Sequence, residues 1–261
     1  MTGAAAEPRR TLAEPPAWVE LARTPTALFL DVDGTLVDFA SRPEHVEATE
    51  GLVGLLRAAA DRVGGALALI SGRPLADLDR IFAPWQPYAA GVHGAFVRGP
   101  EGVRRHHPDP AALAELRHRA DQVVELFPGA WVEDKQVGVA IHYRAVPGAE
   151  PQLRALVDRL AADVSQDFVL QPGHLVQELR PVGWTKGTAL HELMASAPFR
   201  GRLPVVAGDD LTDEHAFAAA AELGGFGIIV GDRSDTAASY RLDDPAAVRG
   251  WLAELLEEVQ R

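Results

Sequence analysis

Leu28–Asp38 reads LFLDVDGTLVD, and the fold is decided by how that stretch is read. Ala27–Leu30 is an apolar run of strand length. Asp31 and Asp33 follow at once, one residue apart, with Gly34-Thr35 behind them. Carboxylates this close repel unless a cation lies between them, whereas an ordinary turn is made by Asn-Gly or Asp-Gly. The stretch therefore predicts either a metal site or an acidic turn. It does not fit a calcium-binding EF-hand loop, whose Gly stands at the sixth position and which follows a helix.

Beyond this stretch, Leu52, Leu55, Leu56 and Ala59 recur at helical spacing, and Ala66–Ile70 is a second apolar run that stops at Ser71-Gly72. Pro74 opens a further helix, and YAAGVHG forms a third strand ending at His93-Gly94. Apolar strands alternating with helices predict a parallel sheet covered on both faces. Such sheets bind ligands beyond the carboxyl ends of their strands, where Asp31, Ser71 and His93 all fall.

The pattern then changes to helix, hairpin, helix, hairpin, with reversals expected near Gln136-Val137-Gly138 and Pro172-Gly173. From Trp184 the first pattern resumes, with a helix to Ala197, the strand LPVVAGDD, a helix over TDEHAFAAAAEL and the strand FGIIV. The expected fold is α/β, a three-layer Rossmann-like parallel-sheet core over 25–107 and 184–261, with an α+β domain inserted at 108–183. Residues 1–24 are expected to be a flexible tail.

Composition narrows the function. Lys and Arg number 25 against 37 Asp and Glu, a net charge of -12, which argues against nucleic-acid partners, since those are held by Lys and Arg on phosphates. Disulfides, thiolate zinc sites and a cysteine nucleophile are excluded because the chain has no cysteine. No apolar run approaches the ~20 residues that span a bilayer. The opening MTGAAAEPRRTLAEPPAW lacks the continuous apolar core of a signal peptide. A cytoplasmic location, a monomeric state and a small-molecule substrate are expected, with no membrane partner.

VVAGDDLTDEHAF supplies a second apolar strand that ends in carboxylates, Asp209, Asp210 and Asp213. Two acidic strand ends in one parallel sheet can converge on one hard cation, and Mg2+ suits oxygen ligands while keeping waters that a phosphate displaces. Ser71 and Lys186 are ordinary turn and helix-start residues taken singly. Together with a cation and a carboxylate nucleophile they meet the needs of phosphoryl transfer, which is mostly positioning and electrostatic stabilisation.

These residues carry a resemblance. DVDGT, ISGR, the lysine of GWTKG and GDDLTD resemble the four motifs of the haloacid-dehalogenase-type phosphatases, in order and at strand ends or helix starts. GVHGA, VEDK, HYR, ELRP, GWTKG and GDDLTDEHAF further resemble the bacterial stand-alone trehalose-6-phosphate phosphatases, over about Thr26–Trp251. The resemblance implies Mg2+-dependent hydrolysis of trehalose 6-phosphate through a phosphoaspartyl intermediate. Asp31 is then the nucleophile and Asp33 the proton carrier, and Ser71 and Lys186 grip the phosphoryl oxygens. Mg2+ is held by Asp31, the Asp33 carbonyl and Asp209. Asp213 acts on it through water, and Asp210 either through water or directly.

The inserted domain becomes a cap that closes over the site, with Glu133, Lys135, Arg144 and Glu178 at the disaccharide-binding positions. Gly72, Arg73 and His93 complete the expected substrate-binding set, Arg73 standing between a supporting role and a direct contact. His142 and Tyr143 read as packing. Rival readings are a capped phosphatase for another sugar phosphate such as sucrose phosphate, a phospho-receiver module, and a silent sugar-phosphate sensor. A receiver needs neither Asp33 as acid and base nor so large an insertion, and the intact acidic pair speaks against the sensor.

Overall fold

The computed structural model describes residues 12–21, 24–38, 45–173 and 175–257. The chain runs through α1 (Trp18–Leu21), β1 (Thr26–Leu30), α2 (Glu50–Arg62), β2 (Leu67–Ile70), α3 (Leu75–Ile81), β3 (Tyr88–Gly91), β4 (Phe96–Gly99) and β5 (Gly102–Arg105). It continues through α4 (Pro110–Glu125), β6 (Trp131–Asp134), β7 (Val139–His142), α5 (Glu150–Asp163), β8 (Phe168–Gly173) and β9 (Val176–Pro181). It closes with α6 (Lys186–Met194), β10 (Leu203–Gly208), α7 (Glu214–Glu222), β11 (Phe226–Val230), β12 (Tyr240–Leu242) and α8 (Pro245–Glu257). One compact unit takes the chain up to Arg104 and from Thr185 onward, and the other is Arg105–Trp184. Among the described residues no helix is long and apolar enough to cross a membrane.

The first unit is built on an eight-stranded sheet ordered β12-β11-β10-β1-β2-β3-β4-β5. β1 lies between β10 and β2 and is parallel to both. Every residue of β1 is buried, which is why it reads as a continuous apolar run rather than an alternating one. Register then does the positioning. Leu30 pairs with Ala207 and with Leu69, so Asp31, Asp209 and Ser71 emerge at neighbouring strand ends.

Two edges of this sheet differ from expectation. β4 runs antiparallel to β3 and β5 follows it, a hairpin absent from the strand–helix reading. Its sequence signal is weak, because β5 is four exposed residues ending in Arg104-Arg105, and charge of this kind protects a sheet edge rather than marking a core strand. At the other edge, the expected flexible tail is corrected over residues 12–21. Trp18 is buried, its ring centroid 4.4 Å from that of Trp251, and its Nε1 donates to the Trp251 carbonyl at 2.6 Å. Ala13 bridges Tyr240. Two facing indoles bury enough apolar area to hold a short segment. Residues 1–11, 22 and 23 of that tail lie outside the described residues.

In the second unit, α4 and α5 pack Leu113, Leu116, Leu153 and Val157 onto Val139, Ile141 and Leu179 of a four-stranded antiparallel sheet ordered β6-β7-β9-β8. Because side chains alternate between faces, Glu133, Ala140 and Glu178 line the other face. The second hairpin turns later than expected. Pro172 and Gly173 remain in β8, paired with Gln177 and Val176, and Leu175 takes φ 57°. β8 is an edge strand, where the missing N–H of a proline costs no ladder bond.

Candidate active site

The strand ends of the first unit bring four expected side chains into one buried group. Carboxylate oxygens of Asp31, Asp209 and Asp213 lie within 4.8 Å of one another. Lys186, the first residue of α6 behind the Thr185–Thr188 capping box, places Nζ 3.0 Å from Asp31 Oδ1 and 2.7 Å from Asp213 Oδ1. Asp31, Asp213 and Lys186 are almost fully buried. Buried charge costs heavily unless it is paired, and three carboxylates face one ammonium here.

The surplus negative charge shows in the proton equilibria. Burial pushes the Asp31 carboxyl well above the usual carboxylate range against the pull of Lys186, with Asp213 and Asp209 pushing the same way as burial. Burial, then Asp213, raises Asp209 to about 6. Burial pulls the Lys186 ammonium down, but Asp213 and Asp31 outweigh it and hold the pKa above its ordinary value. A surplus of two negative charges on hard oxygen donors is the donor set that a divalent, oxygen-preferring cation neutralises.

Asp213, expected to act through water, stands beside Asp31 and Asp209. Its carboxylate joins Asp31 and Asp209, and Oδ2 accepts from the backbone N–H groups of Asp209 and Asp210. Gly208 makes the room, because a Cβ there would run into the Asp213 carboxyl. Asp210 stands apart from the three. Its Oδ1 accepts from the Leu211 N–H and lies 3.7 Å from Arg233. Thr35 was not among the expected site residues, yet its buried hydroxyl donates to Asp209 Oδ1 at 3.0 Å. Its position in the DGT triplet was the available signal.

Asp33 lies outside the carboxylate cluster and is held by Arg73, which donates from Nε and Nη2 to its two oxygens. Arg73 also approaches Asp77 at 3.8 Å. Ser71 is buried, and its Oγ accepts from the Arg73 N–H at 3.1 Å, which leaves the hydroxyl proton for a second bond. Val92 and His93 take φ 49° and 55°, a left-handed region sparsely used by non-glycine residues. The His93 ring lies over Gly72, where a Cβ would come within 2.6 Å of it. The strained turn thus packs against the Ser71–Arg73 loop.

The second unit carries the remaining group. Glu133 and Lys135 sit two apart on β6 and its exit, with Lys135 Nζ 2.7 Å from Glu133 Oε1. Glu178 lies in the same cross-strand row, beyond Ala140. Burial raises its pKa while Lys135 pulls it down. Arg144 is exposed just after β7. His142 is not simply packing: its Nε2 lies 2.8 Å from Glu133 Oε2. Tyr143 is fully buried, as packing requires. Arg180, which donates to Gln171 at 2.8 Å, was also missed, because strand charges carry no sign of which face they take.

Comparison with known proteins agrees with this geometry. Residues 29–246 match the family model for trehalose-phosphatase. The chain is 38% identical over 237 residues to the trehalose-6-phosphate phosphatase of Escherichia coli K12, covering 90% of this chain and 88% of that protein. It is 35% identical over 230 residues to a probable trehalose-phosphate phosphatase of Sinorhizobium fredii, covering 88% and 87%. The C-terminal domain of the Candida albicans trehalose-6-phosphate phosphatase superposes with a TM-score of 0.81, covering 95% of this chain and 99% of that one. At 22% identity that likeness speaks for the fold alone.

Proposed function

The chain belongs to the trehalose-phosphatase family, and from that membership we propose that it hydrolyses trehalose 6-phosphate to trehalose and inorganic phosphate. The observation that carries the reading is the buried group of Asp31, Asp209, Asp213 and Lys186 at the carboxyl ends of β1 and β10. A carboxylate nucleophile, a fixed ammonium and an oxygen-lined charge deficit are the parts a phosphomonoesterase requires.

Asp31 attacks phosphorus as the phosphorus–oxygen bond to the sugar breaks, and Asp33 gives its proton to the departing oxygen. Asp33 then takes a proton from water as that water attacks the aspartyl phosphate, releasing phosphate and restoring Asp31. Splitting the displacement in two lowers each barrier. Lys186 and the Ser71 hydroxyl hold the phosphoryl oxygens, and Arg73 keeps the Asp33 carboxylate oriented. Asp31, Asp209 and Asp213, with the Asp33 carbonyl, would hold Mg2+. When bound, it supplies the positive charge that offsets the crowded carboxylates and the phosphoryl oxygens.

Glu133, Lys135, Arg144 and Glu178 of the Arg105–Trp184 unit bind the sugar hydroxyls in this reading, which makes that unit the seat of specificity. The enzyme is taken as cytoplasmic and monomeric. Phosphate release with Mg2+ across a panel of sugar phosphates tests the proposal. Trehalose 6-phosphate is expected to be preferred over sucrose and glucose phosphates, and a clear preference for another member of the panel overturns it.

A further inference from the structure

The face of the β6-β7-β9-β8 sheet turned away from α4 and α5 holds two rings, Trp131 and His142, that the preceding assignments leave unused, set beside Glu133. Trp131, the first residue of the edge strand β6, is 53% exposed. Its ring lies flat on His142, with centroids 4.2 Å apart and planes at 10°. His142 Nε2 reaches Glu133 Oε2 at 2.8 Å, and Lys135 reaches the other oxygen at 2.7 Å. Register explains the grouping: Trp131 pairs with His142, and Glu133 with Ala140, so the three functional side chains share one face.

Core packing does not account for Trp131. The apolar core of this unit lies on the opposite face, where Val132 and Ile141 meet the helices. What sets this indole apart from an ordinary exposed side chain is that it is held flat against His142 beside a carboxylate fixed at both oxygens. Its setting has the chemistry of a sugar subsite. A pyranose presents an apolar C–H face that stacks on a flat ring and a rim of hydroxyls that donate to carboxylates, the combination of apolar surface and few placed polar groups that small-molecule sites use.

We propose that Trp131 is a stacking platform for one pyranose ring of the disaccharide substrate, and that His142 is the positioning residue that fixes both the indole and the Glu133 carboxylate beside it. This rests on the trehalose 6-phosphate reading. One face of the indole is covered by His142, and the other receives the ring. Glu133, held at both oxygens, is pre-set for the hydroxyls at the ring's edge, so little side-chain freedom is lost on binding.

The test uses the full-length protein and two ringless variants, Trp131→Leu and Trp131→Thr, with Trp131→Tyr as the aromatic control. For each, kcat/KM is measured for trehalose 6-phosphate and for p-nitrophenyl phosphate. The ratio of the two is expected to fall on the order of tenfold in the ringless variants, through KM, and to recover to within about threefold in Trp131→Tyr. Trehalose alone should give a saturable change in the indole emission of the wild type that the ringless variants lack. A ratio that stays constant in both ringless variants overturns the proposal, as does a fall that Tyr fails to relieve. If the wild type does not hydrolyse trehalose 6-phosphate, the functional reading fails first and by its own measurement. A wild type that is active on it while the ratio is insensitive to Trp131 defeats this inference alone.

Discussion

Arg73 holds both carboxylate oxygens of Asp33, Nε to Oδ2 at 2.6 Å and Nη2 to Oδ1 at 2.7 Å. Arg73 is nearly buried and Asp33 about a quarter exposed, so the fork sets the direction of the carboxylate more than a surface pair could. A lysine can supply the charge but not the two-pronged geometry. We expect Arg73→Lys to lower kcat at least about tenfold while leaving the fold intact, since acid–base help of about 10²–10⁴-fold depends on where Asp33 points. Steady-state kinetics with circular dichroism reads it, and near-normal turnover would show that the orientation of Asp33 does not depend on the fork.

Asp31→Asn should abolish measurable turnover, because an amide is a poor nucleophile. The same change should leave the metal-free protein as stable as before or more so. Burial disfavours the ionised Asp31, so removing its charge relieves a cost. Thermal melts in chelator check the second half, and a strong loss of stability would contradict it.

Chelation should remove activity, and Mg2+ should restore it. The same ion should raise the melting temperature of the wild type, since a ligand at 100 times its Kd stabilises by about 2.7 kcal/mol. Asp209→Asn and Asp213→Asn should both lose that Mg2+-dependent rise. If Asp213→Asn retained it in full, the place of Asp213 beside Asp31 and Asp209 would have no bearing on the cation.

Glu178→Ala should cut turnover of trehalose 6-phosphate by about 10²-fold or more, because sites that hydrogen-bond substrate hydroxyls discriminate strongly. Its effect on a small aryl phosphate should be far smaller, since contacts to the non-reacting sugar position the phosphate only in substrates that have that sugar. Equal losses on both substrates would assign Glu178 to the chemistry and not to recognition.

Glu133 gives a pH prediction whose sign can be worked out. The His142 hydrogen bond, with Lys135 adding to it against the upward push of burial, holds its carboxyl at about 2, below the ordinary 4.5. A depressed folded value means that the stability it contributes is present above the unfolded value and lost as pH falls through about 2. We expect His142→Ala to move the carboxyl upward, so that the loss is smaller and is complete at a higher pH. Carboxyl-carbon NMR titration measures it directly, and a wild-type Glu133 titrating at its ordinary value would refute the arrangement.

Several of these relationships are legible in the chain itself. Strand-length apolar runs ending in Asp31, Ser71 and Asp209 are local patterns, and parallel strands place their carboxyl ends together whatever the details of packing. The inserted unit was visible for a similar reason, since the order of helices and hairpins changes along the chain and then changes back. The hairpin Phe96–Gly99 and Gly102–Arg105 was not, because short exposed edge strands lack the hydrophobic periodicity that marks a strand in sequence.

The family, the sheet and the set of carboxylates at its edge follow from residue types at fixed local spacing, and so are carried by the chain before it folds. What each side chain touches is settled by folding. Asp213 reaches Lys186, 27 positions away, and Arg73 reaches Asp33, 40 positions away, through the packing of α6 on α7 and the adjacency of β1 and β2. His142 passed from a packing residue to the partner of Glu133 because strand register, which no local spacing encodes, turned both to one face. Side-chain pairs of this kind depend on the relative placement of whole elements, and that placement exists only once the core has formed.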